Sequence, residues 1–159
     1  MTTETTRATG VRLSPAVLVG GAFALTTLLS VAFHVGEILF TDHDPHAPAG
    51  PIESIQSVAL VGSIALAVAL AIAIPLSRDP DRAKTGAIVL GVLTILSLPV
   101  FWSGAPAVFG ATAAWLGGLT RGSFPQTGAA RGFGIVGLVV VVLEIVATVF
   151  GGAAGQLFG

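Results

Sequence analysis

The chain has 159 residues, of which 53% are apolar and 9% are charged, and its formal net charge is −1. Ordinary soluble domains carry about 25% charged residues, so a water-soluble fold of this size would lack a charged surface. The small net charge argues against a nucleic-acid partner, which requires a basic patch. The absence of cysteine excludes disulfides, thiolate metal sites and cysteine nucleophiles. The composition therefore predicts an all-α membrane protein whose main partner is the lipid bilayer.

Long uncharged runs predict helices that cross this bilayer. No Asp, Glu, Lys or Arg occurs in 13–36, 54–77 or 85–120. Each run exceeds the ~20 residues that a helix needs to cross a ~30 Å hydrocarbon core. The first run is longer than the roughly 7–15 apolar residues of a signal peptide, and no A-x-A cleavage site closes it. We therefore expect a retained first helix.

The first helix is predicted to begin at Ser14-Pro15, an N-cap residue followed by proline at the first helical position. The second apolar segment ends at the charged turn 78–82. The third uncharged run, 85–120, has 36 residues and would extend ~54 Å as a single helix, nearly twice the thickness of the hydrocarbon core. It must therefore be interrupted.

The middle of this run contains helix-breaking residues. Pro99, Gly104 and Pro106 interrupt the helical hydrogen bonds, and Trp102 is typical of a membrane interface. We therefore predict a compact bundle of about five transmembrane helices in one membrane domain, 14–159, after a cytoplasmic tail, 1–13. The predicted segments are 14–40, 53–77, 84–101, 105–120 and 131–153.

The basic residues orient this bundle. With five crossings and the N-terminus inside, all seven Lys and Arg residues lie on the inner side, as the positive-inside rule requires. With four crossings, Arg121 and Arg131 would lie outside. A re-entrant hairpin in place of the third and fourth segments gives the same charge distribution and stays an alternative. The prediction is a multi-pass protein of a bacterial plasma membrane, with a cytoplasmic N-terminus and an outer C-terminus.

Small residues spaced four apart predict close helix packing, because apolar burial gives no gain against lipid tails. Each stripe is expected either to pack within the molecule or to form the face of a homo-oligomer. The sequence has four such stripes: Ala16-Gly20-Ala24, Ala59-Ser63-Ala67-Ala71, Gly110-Ala114-Gly118 and Gly151 with Gly155.

Three ionisable residues lie inside the predicted segments: His34, Glu37 and Glu144. Charged groups near the bilayer centre are costly and usually face the bundle interior, where they find partners. His34 and Glu37 share a helical face, and helical rise places His34 and Glu144 at compatible depths in the outer half. Glu144 is either a protonated, hydrogen-bonded group between helices or a proton- or ion-handling group.

The loop after the first helix adds further polar groups on the same outer side. Imidazole and carboxylate together suit zinc or copper, so this outer-face cluster is a candidate metal site. The alternative is an ordinary polar loop, with His34 and Glu37 forming a structural contact at the headgroups. The candidate ligands are His34, Glu37, Asp42, His43, Asp44 and His46.

Part of the chain resembles a known family. The resemblance rests on the segments GAIVLG at 86–91, GAPAVFG at 104–110 and ARGFGIVGL at 130–138. Over about residues 85–149 the chain resembles the small actinobacterial membrane proteins of the DUF4190 type. The resemblance implies a glycine-bounded helical hairpin followed by an Arg-Gly turn and another apolar helix. That family has no agreed biochemical activity.

The sequence contains no Walker A, H-E-x-x-H or G-x-S-x-G motif. Too few polar side chains lie at membrane depth to assemble a nucleophile, a base and oxyanion donors, so we expect no enzyme activity. The leading hypothesis is a non-catalytic accessory or assembly component of a membrane complex, or a homo-oligomer. The alternative is proton, ion or metal handling through the outer-face His/Asp/Glu cluster.

Overall fold

The computed structural model describes residues 13–40 and 51–158, with side chains described for 13–36 and 52–150. This part of the chain is helical and contains no strand. It forms five α-helices with a 3₁₀ turn at Leu98–Ser103 and a π-helical turn at Trp115–Leu119. The α-helices are α1 Pro15–Phe40, α2 Pro51–Leu76, α3 Pro80–Leu96, α4 Ala105–Ala114 and α5 Gly128–Phe158.

Three of these helices are long and apolar enough to cross a membrane: Pro15–Gly36, Ile52–Leu76 and Gly128–Phe150. The two others are shorter, at 17 residues for α3 and 10 for α4. The protein is therefore an all-helical chain suited to a membrane, and its number of crossings stays a prediction.

Local sequence explains where the helices begin. The Ser14 hydroxyl accepts a hydrogen bond from the Val17 backbone N–H at 3.3 Å, which is the N-cap expected at this position. The Asp79 carboxylate caps α3 in the same way, accepting from the N–H groups of Asp81 and Arg82 at 3.0 and 3.1 Å.

The uncharged run 85–120 is interrupted in the structure as the prolines and glycine require. Helix α3 ends at Leu96 and α4 begins at Ala105. Between them Val100 leaves helical geometry, and Gly104 has a positive φ of 73° that is strained for any residue with a Cβ. The chain thereby reverses direction and forms an α3–α4 hairpin.

Helix α4 lies at the centre of the bundle, in contact with α1, α2, α3 and α5. Every side chain from Ser103 to Gly118 is buried except those of Phe109 and Trp115, which are half-buried. A helix of small residues suits this position, because small side chains let four neighbours approach closely.

The closest approach is between α4 and α5. A Cβ added to Gly110 would lie 2.5 Å from the Gly137 carbonyl oxygen, and one added to Gly117 would lie 2.9 Å from the Gly134 Cα. The two backbones are therefore in direct contact, with no room for a side chain at these positions. The predicted small-residue stripe on α4 packs within the molecule.

The predicted small-residue stripes on α1 and α2 do not pack within the molecule. Ala16, Gly20 and Ala24 are exposed, and the space that a Cβ on Gly20 would occupy is open. On α2, Ala59 is half-buried and the rest of the stripe is exposed. The buried face of α2 is instead formed by Val58, Gly62, Ala65, Ala69 and Ala73. As a prediction of packing within the molecule these two stripes were wrong, because both faces of an alanine-rich helix offer small residues. Gly151 and Gly155 lie outside the described side chains.

Two hydrogen bonds define one end of the bundle, here called the proximal end. The Arg121 backbone N–H donates to the Leu13 carbonyl at 2.9 Å, and the Gln126 side-chain amide donates to the Pro80 carbonyl at 3.0 Å. The five described basic residues are all exposed near this end: Arg78, Arg82, Lys84, Arg121 and Arg131. The opposite end, where α1 ends and α2 begins, is the distal end.

The α3–α4 hairpin does not extend as far towards the distal end as its neighbours. A Cβ on Gly104, at its tip, would meet Thr26, and one on Gly62 would meet the Ser103 carbonyl oxygen. Thr26 is 11 residues beyond the start of α1 at Pro15, or ~16 Å at helical rise. Helix α1 continues 14 residues further, to Phe40. The tip of the hairpin therefore lies level with the middle of α1, and the re-entrant alternative stays a prediction.

Candidate functional site

The short hairpin leaves a space on its distal side, between α1, α2 and α5. This space is a cavity of about 410 Å³, within the range of ~300–1,000 Å³ that is usual for small-molecule sites. The 3₁₀ turn contributes Phe101 and Trp102 to its wall. The remaining lining residues are Ser30, Phe33 and His34 of α1, Ser54, Ser57 and Val58 of α2, and Ala147 and Thr148 of α5.

The His34 ring has a defined hydrogen-bonding role in this cavity. Its Nδ1 lies 2.8 Å from the Ser30 carbonyl oxygen, one turn earlier in α1. Because a carbonyl oxygen can only accept, Nδ1 carries the hydrogen, and Nε2 of the neutral ring is then an acceptor.

Two hydroxyl groups of the lining are also oriented by backbone carbonyls. Ser57 Oγ donates to the Ser54 carbonyl at 2.8 Å, and Thr148 Oγ1 donates to the Glu144 carbonyl at 2.8 Å. Since each hydroxyl has one hydrogen, its remaining capacity is to accept. Ser57, Thr148 and the neutral His34 ring therefore each retain an acceptor lone pair.

Aromatic rings form much of the remaining wall. Phe101 and Trp102 meet edge to face, with centroids 5.8 Å apart and planes at 77°. Phe33 also packs edge to face on the His34 ring, with the ring centroids 5.6 Å apart and the ring planes at 90°. Phe101 and Trp102 are 51% and 57% exposed, so the cavity is open and not enclosed.

Glu144 lies one helical turn below the cavity, on the face of α5 that carries Thr148. It is 6% exposed, and the Ala107 backbone N–H, in the first turn of α4, is directed at its carboxyl group. The second carboxyl oxygen, Oε2, is buried without a hydrogen-bond partner. The start of a helix offers unsatisfied N–H groups, and the Ala107 N–H is the one that the Glu144 carboxyl can accept from.

The tip of the hairpin is held in place by polar side chains. Ser103 Oγ donates to the Val100 carbonyl at 2.7 Å and accepts from the Ala105 N–H at 3.3 Å. Thr26 Oγ1 donates to the Ala22 carbonyl at 2.9 Å, and a Cβ on Gly104 would lie 2.7 Å from it. These contacts set the depth of the cavity floor.

The predicted intramembrane residues are brought near one another but not paired. His34 lines the cavity and Glu144 lies just below it, yet no hydrogen bond joins these two described side chains. The Glu37 side chain and the loop residues Asp42, His43, Asp44 and His46 lie outside the described residues. Within the part that is described, no three His, Asp or Glu side chains are grouped to hold a metal. The metal site stays a prediction.

Sequence reasoning missed most of the cavity lining. A signal was present: Ser30 with His34, Ser54 with Ser57, and Glu144 with Thr148 are polar pairs three or four residues apart within apolar helices. Each pair lies on a single helical face. Trp102 was interpreted as an interface residue, and its place in a cavity wall required the geometry of the hairpin.

Comparison with known proteins finds no family model, no curated protein and no solved structure that matches the chain.

Proposed function

We propose that this chain is a non-catalytic integral membrane protein that associates with other membrane subunits or with itself. The observation that carries the proposal is the outward stripe on α1. Its small residues, Ala16, Gly20 and Ala24, are exposed although the bundle packs through other faces. In lipid, small residues let helices approach closely enough for van der Waals contact. The exposed Ser63, Ala67 and Ala71 of α2 give a second surface of the same kind.

The α1 stripe can be tested without disturbing the bundle. The space beside Gly20 is open, so the Gly20→Leu variant should fold normally while blocking close approach of a partner helix. We expect cross-linking of the purified protein in nanodiscs, or its recovery of a partner in mild detergent, to fall roughly tenfold, which corresponds to ~1.4 kcal/mol.

Gly132 provides the matched control, because it is exposed on α5 and also has open space beside it. The Gly132→Leu variant adds the same side chain away from the stripe and should associate like the wild type. A wild-type protein that is monomeric in nanodiscs and recovers no partner would contradict the proposal, as would equal association of both variants.

A second candidate function is proton or ion handling, and Glu144 supports it. A buried carboxyl with one unpartnered oxygen, next to a helix start at mid-depth, is a common feature of ion and proton pathways. Proton and sodium flux into liposomes should then be lost in Glu144→Gln, which keeps the shape of the side chain but cannot ionise. Flux that is equal in wild type, Glu144→Gln and protein-free liposomes would contradict this function.

The metal hypothesis has its own test, because its loop ligands are separate from Glu144. Zinc and copper titrations of the wild type and of a His43→Ala/His46→Ala variant should differ if the outer loop binds a metal. We also propose a bacterial plasma membrane as the location, with the proximal end in the cytoplasm. The clustering of the described basic residues at that end supports this orientation.

A further inference from the structure

We propose that the cavity above the α3–α4 hairpin binds a small organic ammonium cation. The proposal goes beyond helix association and does not depend on it. It rests on three properties of the lining: the direction of its hydrogen bonds, its aromatic wall and its charge.

The direction of the hydrogen bonds favours a positively polarised ligand. His34 Nδ1, Ser57 Oγ and Thr148 Oγ1 each direct a hydrogen to a backbone carbonyl. Each of these atoms has already used its hydrogen, so the group offers a ligand an acceptor lone pair. Acceptor lone pairs stabilise an ammonium group and its polarised methyl hydrogens, whereas they repel a carboxylate or a phosphate.

The aromatic wall favours the same ligand. Phe33, Phe101 and Trp102 line one cavity, and an organic cation over the face of such rings is attracted by their negative π-surface. Aromatic side chains from two separate elements, α1 and the 3₁₀ turn, give the cation more than one face to contact. Phe101 and Trp102 are held edge to face, which fixes the ring orientation.

The charge around the cavity also disfavours an anionic ligand. No lining residue is Lys or Arg, and the five described basic residues lie near the proximal end. Two described acidic residues are close along the chain to lining residues: Glu53, next to Ser54, and Glu144, one turn from Thr148. An anion would find no Lys or Arg partner in this lining, and a neutral apolar ligand would leave the oriented acceptors unused.

The two tryptophans of the chain allow a direct binding experiment. Trp115 packs against buried apolar side chains of the bundle, such as Leu116 and Ala111, and does not line the cavity. The Trp115→Phe variant therefore leaves Trp102 as the fluorescent reporter of the cavity. Choline is the probe, and 3,3-dimethylbutan-1-ol is its neutral isostere, with carbon in place of the charged nitrogen. In micelles of the uncharged detergent dodecyl maltoside, we expect a saturable change of Trp102 emission with choline and at least tenfold weaker binding of the isostere.

Substitutions in the wall test the aromatic contribution. Phe101→Leu keeps an apolar wall but removes a ring, and binding of choline should weaken roughly 3- to 30-fold. Phe150→Leu is the matched control, because Phe150 is 69% exposed and lies outside the cavity. Thr148→Val gives a second test with an unchanged shape, and loss of its acceptor oxygen should also weaken binding.

Either of two results with the Trp115→Phe protein would overturn the proposal: no saturable response to choline, or equal affinity for choline and the isostere. The proposal would also be overturned if the Phe101→Leu and Thr148→Val variants bound choline as tightly as Phe150→Leu does. The source of the cation is separated by adding phosphatidylcholine to the uncharged micelles, which leaves their net charge at zero. A lower apparent affinity for free choline assigns the cavity to a lipid headgroup, and an unchanged affinity assigns it to a free cation.

Discussion

Gly110 of α4 and Gly137 of α5 are in backbone-to-backbone contact at the centre of the bundle. A Cβ on either residue would lie 2.5 Å from the carbonyl oxygen of the other. Gly117 and Gly134 make the same kind of contact further towards the proximal end. Close backbone approach permits Cα–H···O contacts and extensive van der Waals packing, and it explains why the buried central helix is made of small residues.

This contact predicts a strong effect from a single methyl group. Gly110→Ala and Gly137→Ala should each destabilise the bundle by about 1–3 kcal/mol, the usual cost of overpacking a tightly packed core. Thermal unfolding in a mild detergent, followed by circular dichroism, measures the change. Gly132→Ala is the control, because the space beside Gly132 is open, and the gain in helix propensity should leave it neutral or slightly stabilised. Equal melting of Gly110→Ala and Gly132→Ala would contradict the packing described here.

Gly104 gives a second prediction, at the tip of the hairpin. Its φ of 73° costs a residue with a Cβ about 1–2 kcal/mol, and its Cβ would also lie 2.7 Å from Thr26 Oγ1. Gly122 has a similar φ of 79° but open space, so Gly122→Ala isolates the backbone cost. We expect Gly104→Ala to lower the melting temperature more than Gly122→Ala does.

A double mutant identifies the cause of the additional loss at Gly104. Thr26 directs its hydroxyl to backbone carbonyls of its own helix, so Thr26→Ala alone should cost little. In the Gly104→Ala background the same change removes the clashing oxygen and should recover part of the stability. Additive effects of the two changes would show that Thr26 and Gly104 are not coupled.

Local chemistry made part of this fold predictable. Ser14 and Pro15 indicated the start of α1, and Pro99 with Gly104 indicated the interruption between α3 and α4, because caps and helix breakers act over a few residues. Which face of an apolar helix is buried could not be predicted. Ala67 is exposed and Ala69 is fully buried on the same helix, and nothing in an alanine's own chemistry separates the two.

The candidate site was predictable only in part for a related reason. Glu144 and His34 are conspicuous because ionisable residues are rare at membrane depth. The cavity itself arises from the short length of the α3–α4 hairpin relative to α1. Its aromatic wall comes from Phe101 and Trp102 on one turn and from Phe33 on another helix, and no short-range pattern in the sequence links them.

Glu144 leads to a prediction about stability that is separate from any ion flux. Glu144→Ala would leave the Ala107 N–H facing a cavity, and an unsatisfied buried donor costs about 1–3 kcal/mol. Glu144→Gln retains an acceptor oxygen and a similar volume, so its stability should stay close to that of the wild type. Comparison of the two melting temperatures measures this difference. If Glu144→Gln were as destabilised as Glu144→Ala, the side chain would not act as an acceptor at the start of α4.

The depth of the hairpin can be measured because the chain contains no cysteine. Single cysteines can therefore be placed at Ser123 in the proximal loop, at Ile52 near the distal start of α2, and at Pro99 in the 3₁₀ turn. In oriented vesicles a membrane-impermeant maleimide should label Ser123→Cys and Ile52→Cys from opposite sides. A re-entrant hairpin predicts that Pro99→Cys reacts from the side of Ile52→Cys, and more slowly than Ile52→Cys does.

A full crossing by α3 and α4 would instead bring Pro99→Cys to the surface, where it would react from that side as fast as Ile52→Cys. Labelling of Pro99→Cys from the side of Ser123→Cys would contradict both arrangements, because the hairpin tip would then open towards the proximal end.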